Sequence, residues 1–241
     1  MAFFFAAFAT LSAQYAYRIG LQASPTFTWL DTDDKFINAN GQNLGLRFGV
    51  KFDYFLNPKF LAFSTGINLG LNQGGRLLHD FGGNLLKNSK FSSPFDSLPN
   101  GTNIRYHINY VEIPAGLHAH VEINPIRGYL EAGFNFSFPY NAAKGDITGS
   151  NIKLEGENIR KDVTSFQISW GLGGGIEYQI RGKSTGGGAA LDFIAGVSYS
   201  QGVIDVTRNN GEKIVNGVPQ EENSKATLSG LTIILVFMIG G

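Results

Sequence analysis

A chain of 241 residues with no cysteine, a formal net charge of zero and 16% charged residues excludes several classes at once. It has no disulfide scaffold, thiolate metal site or Cys nucleophile, and no electrostatic case for nucleic acid. Its 32 glycines and 20 phenylalanines are high, yet mean hydropathy is close to zero, which suits an alternating barrel and not a bundle of apolar membrane helices.

In chain order, residues 1–13 (MAFFFAAFATLSA) are a short apolar run ending in small residues, read as a signal peptide without its usual positive start. Residues 14–241 are then the barrel domain. The first predicted strand covers Tyr15 to Leu30, with Tyr17, Ile19, Leu21, Phe27 and Trp29 on one face and Arg18, Gln22, Ser24, Thr26 and Thr28 on the other. Pro25 removes one ladder donor, which is tolerated at a bulge or near a strand end. A polar loop from Asp31 to Asn43 follows, whose Asp31, Asp33 and Asp34 lack the Gly and bidentate Glu of a calcium-binding EF-hand, so a solvated acidic loop is expected. Leu44 to Leu56 alternates again, setting Phe48 and Val50 opposite Arg47, Lys51 and Asp53. After a turn at Asn57-Pro58-Lys59, Leu61 to Leu71 forms the third strand, with Asn68 on its polar face.

The connection over 73–103 is long and polar, with apolar patches that predict a short helix or a plug. The fourth strand, Ile104 to Val121, breaks its own rule. Ile104, Tyr106, Ile108 and Tyr110 are even, whereas Val111, Ile113, Ala115, Leu117, Ala119 and Val121 are odd. A bulge between Asn109 and Pro114 would turn Arg105, His107 and Asn109 inward together with Glu112, His118 and His120. Asn124-Pro125 gives the next turn. Leu130 to Phe138 then sets Phe134 and Phe136 against Glu131 and Asn135.

A second long loop (139–162) leads into Val163–Arg181, the clearest stretch of the chain. Phe166, Ile168, Trp170, Leu172, Ile176, Tyr178 and Ile180 share one face; Glu177, Gln179, Arg181 and Gly171, Gly173 and Gly175 share the other. This run exceeds the roughly 9–11 residues that a tilted strand needs to cross a bilayer, and a lone strand in hydrocarbon would leave its backbone unpaired. Its GLGGG lies inside a strand and opens no helix, so it is no nucleotide loop. After the Gly-rich return at 182–188, Leu191 to Ser200 alternates with Asp192 on the polar face. In the third long loop (201–225), apolar segments flanking Asn209-Asn210-Gly211-Glu212 suggest a hairpin. The last strand, Ala226 to Ile239, is apolar on both faces and its register is open.

The expectation is an all-β fold, an eight-stranded antiparallel up-and-down transmembrane β-barrel. Its long loops lie on one rim, and its short turns and both termini on the periplasmic rim of a Gram-negative outer membrane. A barrel of this size has an interior just filled by side chains. The structural residues expected to face the lumen are Arg18, Arg47, Lys51, Asp53, Arg105, Glu112, Glu131, Glu177 and Asp192. Both signs are present, so pairing across the lumen is expected in place of a channel. His118 and His120 could hold a metal, but no third ligand at a recognisable spacing goes with them. No catalytic residue, cofactor or metal is expected. The expected partners are outer-membrane lipid and envelope proteins, with a monomeric barrel and no nucleic acid. A lipid-modifying barrel enzyme would need an outward Ser beside a His. A soluble lipocalin-like barrel would need the faces reversed.

The segment Tyr110-Val111-Glu112-Ile113-Pro114 resembles the Y-[LV]-E-[IV]-P strand of the PorT-like outer-membrane β-barrel family of Bacteroidota. The start ending LSAQ and an opening strand RIGLQASPTFT fit the same family. The resemblance implies an integral outer-membrane protein. Its name-giving member belongs to a secretion apparatus, so a link to protein secretion is implied and no catalytic residue is carried over.

Overall fold

Strands that alternate apolar and polar side chains can offer one face to lipid and the other to a closed interior. In the computed structural model, which describes residues 17–57, 60–92, 97–123, 126–181, 189–208 and 211–240, they do so as a ring. The expected signal peptide, the start of the first strand at Tyr15 and the turn residues at 58–59, 124–125 and 182–188 lie outside the described residues. In chain order the elements are β1 (Tyr17–Thr32), β2 (Ile37–Asn57), β3 (Leu61–His79), β4 (Gly83–Asn84), β5 (Thr102–Ile123), β6 (Ile126–Pro139), β7 (Lys144–Gly149), β8 (Ile152–Asn158), β9 (Gln167–Arg181), β10 (Ala190–Asp205), β11 (Gly211–Val215), β12 (Val218–Glu222) and β13 (Ala226–Gly240). The eight long strands β1, β2, β3, β5, β6, β9, β10 and β13 pair antiparallel in that order, and β13 closes on β1.

The outward face is a belt of exposed apolar side chains, among them Leu21, Phe48, Val50, Ile67, Leu117, Leu130, Phe134, Trp170, Leu172 and Phe237. Leu172 is 56% and Leu130 66% exposed, an arrangement that water would disfavour and lipid accepts. Aromatic contacts Trp29–Tyr199–Trp170 and Phe136–Phe166–Phe138 mark the upper margin of the belt. Register in β13 is settled by burial: Thr232, Val236 and Met238 face inward and Leu231, Ile233, Leu235 and Phe237 outward. No partner on β13 pairs with Pro25, which has no N–H. Beside it, the Ser24 hydroxyl accepts the Leu235 N–H at 3.2 Å, so that donor is not lost.

The long connections contain strands of their own. β7 and β8 form a hairpin that extends β5 beyond the end of β6, and β11 and β12 form another that pairs with β4. The hairpin turns at Asn216-Gly217, where φ is 52° and 78°; of the predicted turn Asn209–Glu212, Gly211 and Glu212 lie in β11 and 209–210 lie outside the described residues. The 73–103 stretch first continues β3 to His79 and contains no helix among its described residues. β2 likewise starts at Ile37, so the predicted loop from Asp31 shrinks to 33–36, and β9 starts at Gln167 where Val163 was expected. Together these extensions build a cap with a continuous apolar core. Leu30, Ile37 and Leu77 come from the ring strands, Leu85, Leu86 and Leu98 from the first long connection, and Ile147, Ile152 and Leu154 from the β7–β8 hairpin.

The predicted bulge in β5 is corrected. β5 pairs regularly with β6 from Tyr110 to Ile123, and its even residues stay inside along its length. Glu112 does point inward, as expected, but Arg105, His107 and Asn109 lie on the opposite face. The irregularity sits on β3: Gly70 pairs with Tyr110 and Gln73 with Ile108, so one extra residue falls at Leu71-Asn72. Below it Ser64 and Asn68 are buried in the lumen; above it Gln73, Leu77 and His79 are. Parity therefore changes on β3, and on β5 only the chemistry changes.

Candidate functional site

Because even positions of β1 and odd positions of β2, β6 and β9 face inward, their charged residues meet in the half of the lumen nearest the short turns. Arg18 lies at the centre, 2% exposed. Its Nε donates to Asp53 Oδ2 at 2.8 Å, and Nη1 and Nη2 form a fork on Glu177 at 2.9 and 2.6 Å. Asp192 Oδ2 is 3.5 Å away, and Arg127 Nη1 lies 3.6 Å from both Glu177 and Asp192. Lys51 Nζ donates to Glu131 at 2.5 Å and lies 4.0 Å from Asp53. His118 bridges the two groups, with Nδ1 3.1 Å from Glu131 and Nε2 2.7 Å from Glu177. Both nitrogens lie within hydrogen-bond reach of carboxylates, and Nε2 also lies 3.4 Å from Arg18 Nη2, so the ring ties Arg18, Lys51 and Arg127 to the four carboxylates. Charges this deeply buried persist only when paired and hydrogen-bonded on several sides.

One layer further in, Arg47 forks onto Glu112 at 2.5 and 3.3 Å and donates to Thr232 Oγ1 at 3.0 Å. Gly70 lets that carboxylate lie against β3, since a Cβ there would stand 2.6 Å from Glu112 Oε1. Between the two ionic layers lies a cavity of about 110 Å³, bordered by Gln22, Arg47, Lys51, Asn68, Glu131, Asn135 and by Gly171 and Gly173. The glycine face of β9 leaves room beside long side chains. It borders the cavity with Arg47 and Lys51, but on its far side a Cβ at Gly196 would stand 2.4 Å from the Tyr129 hydroxyl. Asn68 Oδ1 is buried there without a protein partner, so the space suits water, which occupies about 10–15 Å³ of such a cavity.

Eight of the nine residues expected in the lumen thus fall in these two layers. Arg105 does not. It sits half-buried on the outer side of β5, directly opposite Arg76 of β3, and its Nε donates to Asn43 Oδ1 at 2.9 Å. His107, also outward, has both ring nitrogens occupied, by Asn72 Oδ1 at 2.6 Å and Asp146 Oδ2 at 2.9 Å, so neither is free to activate a hydroxyl. His120 is buried beside Phe55 and does not share a ligand with His118. Asp31, Asp33 and Asp34 point to different partners, Trp29 and Ser229, the Lys225 amide, and Phe36, Lys213 and Ser224 respectively. Among the described residues no group of three or more His, Asp or Glu could hold a metal ion. Arg127 and Tyr129, whose ring stacks on His118 at 4.7 Å, belong to the cluster but were not predicted. Extending the β6 alternation back from Glu131 would have found both.

The cap has its own buried acids and one buried base. Asp162 accepts from the Asn88 amide and side chain and from Ser89, and Glu157 from the Ser92 amide and hydroxyl, so two carboxylates clamp the first long connection. Burial pushes the His79 imidazole down to about 4.

No curated protein sequence matches the chain. Among solved structures, Neisserial surface protein A shares 15% identity, with 92% of this chain and 97% of that one covered and a TM-score of 0.45. Ail, the attachment invasion locus protein of Yersinia pestis, shares 10% over 92% and 99%, with a TM-score of 0.39. The outer-membrane protease OmpT of Escherichia coli shares 9% over 97% and 99%, with a TM-score of 0.40. Likenesses of this size say nothing about activity. A family model described as outer membrane protein beta-barrel domain matches residues 10–208, and the chain belongs to that family of outer-membrane β-barrel proteins.

Proposed function

We propose that the protein is a non-enzymatic, monomeric surface component of a Gram-negative outer membrane, which meets envelope or external protein partners through its cap. One observation carries the reading: the three long connections fold onto a shared apolar core at one end of the ring, while β1 begins and β13 ends at the other. A barrel whose loops served only as links would not need that core. In the lumen, Arg18, Asp53 and Glu177 are nearly inaccessible, which supports an anchor and not a pore. The charged groups there neutralise one another, which supports a structural role over a catalytic one. Both termini are then periplasmic. The likeness of Tyr110–Pro114 to PorT-like barrels adds protein secretion as the finer reading: Tyr110 floors the cap core and Glu112 heads the ionic layer, so the motif spans the boundary between them.

An epitope inserted between Asn216 and Gly217 should be labelled on intact cells, and one at the C-terminus only after permeabilisation. The reverse pattern would overturn the orientation. A steady porin-sized conductance from the purified monomer in planar bilayers would overturn the closed lumen, since freely conducting porins have about 16–18 strands.

A further inference from the structure

The outward faces of β3, β5 and β7 above the lipid belt hold three cations, Arg76, Arg105 and Lys144, that form no ion pair among the described residues, although Asp146 lies opposite Arg105 and feels its charge. Arg76 and Arg105 are directly opposite across β3 and β5, and like charges so placed destabilise a ladder. Neither belongs to the apolar core, because their neighbours Leu77, Ile104 and Tyr106 take the inward positions. Arg76 has no hydrogen-bond or ion-pair partner among the described residues, and Arg105 has only the Asn43 amide. Asp146, the carboxylate opposite Arg105 on β7, has both oxygens engaged, one by His107 and one by the Gly156 amide. Lys144, opposite His107, adds a third cation to the face.

The position suggests what neutralises them. These residues follow on the same outer face as the half-buried Leu69 and Leu71 of β3 and Val111 of β5 and the exposed Ile113 of the apolar belt. Arg76 lies five residues beyond Leu71, about 17 Å along the strand at ~3.3 Å per residue, or about 12 Å of height at a tilt near 45°. The interfacial layer on each side of a bilayer is roughly 5–8 Å thick, and Arg side chains bend toward it. A simple glycerophosphate would lie low for this pair, whereas a phosphate carried on a saccharide stands further out. Two guanidinium forks facing each other can grip one phosphate from both sides.

We propose that Arg76 and Arg105, with Lys144 beside them, bind the phosphate of a phosphorylated glycolipid in the outer leaflet. The proposal rests on the cap facing outward, as above, but its test does not: nanodiscs present the same lipid on both sides.

Wild-type protein and an Arg76→Gln/Arg105→Gln variant would be compared in three kinds of phosphatidylcholine nanodisc. One contains phosphatidylcholine alone, one adds a lipopolysaccharide with headgroup phosphates, and one adds its dephosphorylated form. Native mass spectrometry reads retained lipid, and thermal unfolding reads stability. Wild type should retain the phosphorylated lipid about tenfold better than the variant, a difference of about 1.4 kcal/mol, and gain thermal stability from it. In phosphatidylcholine alone the variant should be no less stable than wild type, since the substitutions also remove the repulsion. Equal retention by both proteins, or equal retention of the dephosphorylated lipid, would overturn the proposal. So would equal stabilisation by soluble pyrophosphate without retained lipid, which would make the site one for a free anion. An Arg76→Lys/Arg105→Lys variant keeps the charge and should fall between the two; if the Gln variant fails to fold, loss of lipid retention on Lys replacement decides the same question.

Discussion

On the inner face of β5, Glu112 and His118 meet ions, and the even residues from Ile104 to Tyr110 meet hydrocarbon. Glu112 and His118 engage Arg47, Glu131 and Glu177, whereas Ile104, Tyr106, Ile108 and Tyr110 lie in the apolar core of the cap. The strand does not turn over between them. What changes is the solvent on its other side: Ile113, Leu117 and Val121 face out from the lower half, and Arg105, His107 and Asn109 from the upper. In lipid, burying apolar groups inside brings no hydrophobic gain, so the interior can be polar and held by charge pairing. In water the usual rule returns, and apolar groups go inside. One barrel wall is thus built inside-out below and outside-out above, and a reader of its sequence sees the swap as a slip of period.

The two regions should break differently. The largest effect is expected in the ionic layer. Replacing Arg18 with Met leaves Asp53, Glu177 and Asp192 without their central cation, in a lumen where nothing else reaches all three. Removing one partner of a buried ion network costs about 3–5 kcal/mol. Urea unfolding in lipid vesicles would measure it, and the cap should lose protease resistance only together with the barrel. A cost below about 1 kcal/mol, the value of an exposed pair, would mean that water reaches the cluster and that the lumen is open at that end.

In the cap the corresponding stress is acid. His79 is buried beside the core, and burial holds its imidazole near 4, against the partial opposition of the Thr102 and Leu77 backbone and, more weakly, of Asp34 and Asp80. The unfolded chain takes up the proton near 6.5 and the folded cap only near 4, so the unfolded state binds more protons across that interval. Stability therefore falls as pH drops from about 6.5 to about 4, by at most about 3.4 kcal/mol at 1.36 kcal/mol per unit. Asp34, held below its usual range, adds its own loss only below the ordinary carboxylate pKa, outside this window. Although its desolvation works the other way, the Phe36 amide, Lys213 and Ser224 prevail. Limited proteolysis of vesicle-embedded protein should show the cap opening over that interval while the barrel keeps its heat-modifiable migration. His79→Gln should flatten the response; an unchanged pH profile in that variant would assign it to other groups.

How much of this was legible follows from the same contrast. The ring strands announce themselves because lipid demands a strict period of two, and Phe166 to Ile180 shows it without a break apart from Gly174. The lumen charges follow by parity alone, which is why Arg18, Arg47, Lys51, Asp53 and Glu177 could be placed without a fold. Arg105 departs from the lumen because the outside of the barrel is wet at that height, so a polar side chain there does not imply an inward position. The cap strands carry no such pattern. β4 has two residues, β12 is VPQEE, and β8 alternates over only seven, so their pairing depends on neighbours distant in sequence. The bulge was inferred on the wrong strand for a related reason: a change of parity between β3 and β5 is visible in either sequence, and only the register shows which one carries the extra residue.

That extra residue supplies the last and smallest effect. Asn72 has φ of 56°, a left-handed conformation that costs most L-residues about 1–2 kcal/mol and Asn less. It is held at both ends: its N–H donates to Asn109 Oδ1 at 2.9 Å and its Nδ2 to Leu44 O at 2.7 Å. Above it β3 presents Leu77 and His79 to the cap core; without the offset Arg76 would stand there instead. Asn72→Ala should cost about 1–2 kcal/mol, because it loses the Leu44 and His107 bonds and keeps an unfavourable φ. Asn72→Gly should cost only part of that, since glycine adopts the same φ freely and forfeits only the two side-chain hydrogen bonds, to Leu44 O and to His107 Nδ1. Urea unfolding of the two variants side by side measures the difference, and hydrogen exchange at Gln73 and Leu77 reports whether the register above the bulge holds. Equal costs for Ala and Gly would show that the left-handed turn is not what keeps β3 in step, and would shift the weight to the Asn72 side-chain bonds to Leu44 and His107.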